Sequence, residues 1–77
     1  MPMKYERIRN LREDGDHKQR ELAEYLNVTQ NTYSQYENGV IELRADTAVR
    51  LAQFYHTSVD YLLGLTDERE PYPPKRG

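Results

Sequence analysis

The chain is 77 residues long and has no cysteine, which makes it one small domain and excludes a disulfide framework or a thiolate metal site. Its net charge of −2 and pI of about 5.6 give it little general attraction for phosphate, so any nucleic-acid partner depends on where charges sit, not on their total. No apolar run approaches transmembrane length and no signal peptide is evident, so a cytoplasmic protein with no membrane contact is expected.

Residues 3–14 read as a first helix. Tyr5, Ile8 and Leu11 recur at threes along one face, Pro2 suits a first turn, and Gly15 is expected to end the helix. A second helix is predicted over 18–26 with Leu22, Ala23 and Leu26 on its apolar stripe. Asp16 is the expected cap, with Gln19 three residues on. His17 reads as a half-buried packing residue, because nothing near it completes a site. Asn27 then supplies a left-handed turn, and Thr29 caps a third helix over 29–37. Val28, Tyr33 and Tyr36 form its inner face, and Asn38-Gly39 closes it.

Residues 38–44 form a loop that carries Val40, Ile41, Glu42 and Leu43. The fourth helix, over 44–56, has the clearest period in the chain: Ala48, Leu51, Ala52 and Tyr55. His56 stands at its end, where a cation is favourable. Thr57-Ser58 opens a fifth helix over 58–64, with Val59, Leu62 and Leu63 inward and Tyr61 and Leu65 exposed. Residues 66–77 are charged and then Pro-rich (Pro71, Pro73, Pro74), and they read as a disordered tail behind a domain of residues 1–65. The expected class is all-α with five helices.

Little in this chain supports catalysis. Two histidines, no cysteine, no Gly-rich phosphate loop and no carboxylate cluster at metal-ligand spacing leave no enzyme to build, and no cofactor or metal is implied. The informative surface is the outer face of the third helix: Gln30, Asn31, Ser34 and Gln35. A plain solvated face would more often carry Glu and Lys, whereas Gln and Asn bond adenine bidentately in a major groove. Helix N-termini attract phosphate through their unpaired N–H groups. Lys18 and Arg20 would add charge there, Thr29 and Thr32 would offer hydroxyls, and Tyr33 could reach a phosphate besides packing.

Gln19-x-x-Leu22-Ala23, the turn Asn27-Val28-Thr29, Glu37-Asn38-Gly39, Leu51-Ala52 and Ser58-Val59-Asp60-Tyr61-Leu62-Leu63-Gly64 together resemble the Cro/CI-like (XRE-type) helix-turn-helix family of phage and bacterial repressors. The resemblance covers about residues 4–65. It implies a lambda-repressor-like fold, a structural ion pair between Arg12 and Glu37, and phosphate contacts from Gln19 and from the backbone near Asn38. It also implies base contacts from Gln30, Asn31, Ser34 and Gln35, and transcriptional regulation, most simply repression.

The sequence departs from the family at two places. His17 and Lys18 stand where relatives have an apolar residue and Ser or Thr, and the loop after Gly39 is apolar where many relatives are basic. One module of this size buries too little for regulatory affinity, so a homodimer on a two-fold DNA site is expected, with Val40, Ile41, Leu43, Tyr61 and Leu65 as its surface. The acidic balance keeps a second expectation open: a helix-turn-helix module that binds a protein, alone or as an antitoxin-like partner.

Overall fold

The computed structural model describes residues 5–71. Pro2, Lys4 and the tail from Tyr72 onward lie outside the described residues. Five helices follow in order: α1 (Glu6–Asp14), α2 (Gln19–Leu26), α3 (Gln30–Glu37), α4 (Ala45–Phe54) and α5 (Val59–Leu62). The described residues contain no strand.

All five helices stop in the same way. One residue adopts the left-handed conformation after each helix: Asp16, Asn27, Gly39, His56 and Gly64, with φ of 57°, 60°, 72°, 54° and 77°. Its N–H and that of the next residue turn back onto the last carbonyls. At α1, for example, Asp16 N–H bonds Glu13 O at 3.0 Å and His17 N–H bonds Arg12 O at 3.0 Å. The pair Asn27 to Glu24 O and Val28 to Ala23 O repeats it, as do Gly39 to Tyr36 O and Val40 to Gln35 O. This is the Schellman closure, which satisfies carbonyls that a helix end otherwise strands.

The closures explain where periodicity overran. The fourth helix was expected to reach residue 56 but ends at Phe54, because His56 has already turned left-handed. Gly15 ends α1 as expected, as its C-cap residue with φ −85°, and Asp16 makes the left-handed turn after it. A Cβ at position 15 would lie 2.7 Å from His17 Cδ2, so a larger residue there would have to displace the imidazole.

The helix starts show one further correction. Asp16 does not cap α2. Lys18 takes the capping position with extended backbone, and Glu21 accepts its N–H at 3.3 Å, which is half of a capping box. Lysine has no acceptor to complete the other half. Thr29 Oγ1 does cap α3, accepting Thr32 N–H at 3.1 Å, and Ser58 Oγ caps α5, accepting Tyr61 N–H at 3.1 Å.

The apolar stripes meet in one core. Ile8 and Leu11 of α1, Leu22, Ala23 and Leu26 of α2, Tyr33 and Tyr36 of α3, Ala48, Leu51 and Ala52 of α4 and Leu62 of α5 are all buried. Packing α2 on α3, with α4 against both α2 and α5, leaves the outer side of α3 uncovered. Leu63, expected inside, is exposed, since α5 ends at Leu62 and the chain turns away. Tyr61, expected outside, is half-buried beneath the Arg7 guanidinium, whose Cζ sits 4.3 Å from the ring centre.

Of the segment after α5, residues 66–71 belong to no helix but are tied back. Arg7 donates to the carbonyls of Tyr61 and Thr66 and pairs with Asp67 at 2.6 Å, and Thr57 Oγ1 donates to Arg69 O at 2.6 Å.

Candidate nucleic-acid interface

The left-handed Asn27 and the two residues after it swing α3 across α2, with Thr29 at the entry. On the outer side of α3, Gln30 and Asn31 are exposed in the first turn, and Ser34 and Gln35 are partly exposed one turn later. A helix advances 3.6 residues per turn, so these four and Asn38 share one stripe. Asn38 Nδ2 donates to Ser34 Oγ at 3.3 Å, which joins the two along it. The stripe carries no charge. It presents amides and a hydroxyl, groups that can donate and accept at once.

The C-terminal end of α3 is anchored by a buried charge at the inner edge of this stripe. Glu37 has 1 % of its surface exposed. Its Oε2 accepts from Arg12 Nε at 2.6 Å, and its Oε1 from Arg12 Nη2 at 3.1 Å and Gln19 Nε2 at 3.2 Å. Arg12 also donates through Nη1 to His17 O at 3.1 Å. The fork therefore ties α1, the α1–α2 turn and the end of α3 together. Burial pushes the Glu37 carboxyl up, but hydrogen bonds from Arg12 and Gln19, with the nearby Tyr33 hydroxyl, outweigh it and hold the group below the ordinary carboxylate range.

Tyr33 is not where a phosphate contact needs it. Its ring is fully buried, at 0 % exposure, and its hydroxyl is inside, so it reaches no surface phosphate. Burial raises the Tyr33 and Tyr55 hydroxyls far above the usual tyrosine range, so both stay protonated. Neither makes a hydrogen bond of full geometry, although the Tyr33 hydroxyl lies close enough to Glu37 to favour its charge.

The remaining phosphate candidates line the start of α2 and the entry to α3. Lys18 and Arg20 are exposed, Gln19 is partly exposed, and Arg20 Nε lies 3.6 Å from Glu24 Oε1. Thr29 is exposed with its hydroxyl engaged in the cap, and Thr32 is partly covered. Of the dimer candidates, Val40 and Leu65 stand out at 66 % and 72 % exposed. Ile41, Leu43 and Tyr61 pack against the core and offer only part of their surface. Val49, on α4, is exposed too, and the periodicity did not single it out because its neighbour Ala48 marks the stripe. A groove of about 560 Å³ between α4 and α5 includes Val49, Gln53, His56, Val59 and Pro71, and none of the α3 stripe.

Among the described residues no group of three metal-ligating side chains converges, and no helix is long and apolar enough to cross a membrane.

Residues 8–62 match a family model described as helix-turn-helix. The chain is 38% identical over 66 residues to the uncharacterized HTH-type transcriptional regulator YobD of Bacillus subtilis (strain 168), covering 86% of this chain and 59% of that protein. It is 37% identical over 57 residues to the cryptic phage CTXphi transcriptional repressor RstR of Vibrio cholerae, covering 74% and 51%. Its fold is similar to the crystal structure of a transcriptional regulator from Listeria innocua, with a TM-score of 0.75 and 28% identity over 88% of this chain and 64% of that one. The chain thus spans about half the length of the curated relatives it matches. The match runs through α2, the Asn27 turn and α3, and the chain belongs to the XRE-type helix-turn-helix family of transcriptional regulators.

Proposed function

We propose that the chain is a sequence-specific double-stranded DNA-binding regulator, acting in the cytoplasm as a repressor, that lays α3 in the major groove. The observation that carries this reading is the uncharged stripe of Gln30, Asn31, Ser34 and Gln35, exposed or partly exposed along a helix whose end is anchored by Glu37. Amides there match the donor-acceptor pair of adenine, so A·T-containing steps are the preferred targets. Phosphates on either side are held by Lys18, Gln19 and Arg20 at the start of α2 and by Thr29, Thr32 and Asn38 at the ends of α3. Repression is supported by the phage repressor among the relatives. No enzymatic activity is assigned.

A two-fold site read by a homodimer fits the size of one module. Val40 and Leu65 lead the subunit contact, with the partly covered Ile41, Leu43 and Tyr61 at its edge. Half-site centres then lie about 34–36 Å apart. Selection of bound duplexes from a random-sequence pool tests the reading. The expected result is a palindromic consensus rich in A·T steps, and a folded protein that enriches nothing would end it. The acidic balance favours one other reading, a protein-binding or antitoxin-like module, and failure of that selection would point to it.

A further inference from the structure

Gln19 and Glu37 lie 18 residues apart in sequence, and their side chains meet at 3.2 Å. The chemistry of this contact fixes an orientation that shape alone leaves open. An amide looks nearly the same when turned over, but a carboxylate only accepts hydrogen bonds. Glu37 is buried and gripped by the Nε–Nη2 edge of Arg12, so it stays ionised. The Gln19 amide must therefore turn its nitrogen to Glu37. One Nε2 proton is committed to Oε1, and the second projects from a partly exposed side chain. Gln19 is also the first residue of α2, where backbone N–H groups have no partner within the helix.

We propose that Glu37 is a positioning residue for DNA binding: it never touches the duplex, but locks the Gln19 amide so that an N–H, not the carbonyl, faces a backbone phosphate. This rests on the reading that the chain binds duplex DNA. It couples the end of the reading helix to the phosphate clamp on α2 through one carboxylate. A neutral amide at position 37 would both donate and accept, so either face of Gln19 would satisfy it. The phosphate would then meet the Gln19 carbonyl part of the time.

The test is a double-mutant cycle on the full chain with Glu37→Gln and Gln19→Ala, read as affinity for a duplex enriched from a random pool. Two near-equal orientations halve the productive population, so Glu37→Gln is expected to weaken binding about twofold when Gln19 is present. In the Gln19→Ala background it changes affinity little. Equal losses in both backgrounds would mean that Glu37 only supports the fold, and no loss in either would also overturn the proposal. A second measurement needs neither DNA nor a folded variant. In the unmodified chain, the Gln19 side-chain amide protons should exchange more slowly in NMR than those of exposed Gln30. Equal exchange overturns the lock itself. Slow exchange in a protein that binds no duplex would locate the failure in the DNA-binding reading.

Discussion

Arg12 and Glu37 show how much one pair of residues holds. Glu37 is buried in a fork of charge-assisted hydrogen bonds, and Arg12 is the cation in that fork. Arg12→Ala would strand the carboxylate, and an uncompensated buried charge costs about 3–5 kcal/mol. A domain of this length carries only about 4–12 kcal/mol in total, so the variant should unfold at far lower urea than the parent chain. Acid acts on the same group. The Glu37 carboxyl titrates below its ordinary 4.5 in the folded chain, so its stabilising share is complete above that value. That share is lost as pH falls through the depressed folded value, because the unfolded chain takes up the proton first. Urea midpoints measured from pH 7 downward should fall below about pH 4.5, and Glu37→Gln should be weaker at pH 7 but flatter towards acid. Periodicity could not reveal this pair, since the two residues are 25 apart and each alone reads as a solvated charge. Only the resemblance joined them. The same burial removed Tyr33 from the phosphate contacts, because the inner face of α3 takes the whole ring, hydroxyl included.

The helices themselves were legible from spacing alone. Apolar residues at three and four apart mark all five stripes, and helix packing is driven by such faces. The ends were harder to read, because several residue types can make the same turn. Glycine supplies it at 39 and 64, but Asp16, Asn27 and His56 supply it elsewhere. A left-handed residue with a Cβ is held at a cost of roughly 1 kcal/mol relative to glycine. His56→Gly should therefore stabilise the chain, raising Tm by about 4–8 °C in a scanning melt for a domain of this size. No change, or a drop, would mean that the His56 side chain makes a compensating contact in the groove between α4 and α5. Asp16 was misassigned as a cap for the helix ahead when it closes the helix behind. Both roles favour short polar side chains, so residue type did not separate them.

For the whole molecule the acidic balance bears on how the proposed DNA binding would work. Three of the six arginines between residues 5 and 65 are tied to other elements of the fold: Arg7 with Tyr61, Thr66 and Asp67, Arg12 with Glu37, and Arg50 with the Tyr25 carbonyl and ring. Among the described residues, Lys18 and Arg20 are exposed at the start of α2 and Arg44 at the start of α4, the last two in exposed ion pairs worth little. About two or three neutralised phosphates per protomer, hence about four to six for the proposed homodimer, predict a slope of about −4 to −5 for log affinity against log salt. A slope several times steeper in a salt titration would show a basic surface that this fold does not display among its described residues. The shallow slope has a corollary: sequence-blind binding should be weak, and most of the useful affinity should come from base contacts.

The most direct measurement compares discrimination, not affinity. The wild-type chain and a triple variant with Gln30, Asn31 and Gln35 changed to alanine are each titrated against the enriched duplex and a scrambled one. Each bidentate contact is worth about 1–3 kcal/mol of discrimination, so the wild type should prefer its site by orders of magnitude. The variant should bind both duplexes alike, with its weak affinity for the scrambled one unchanged. A variant that still prefers the enriched site would show that the outer face of α3 does not read the bases.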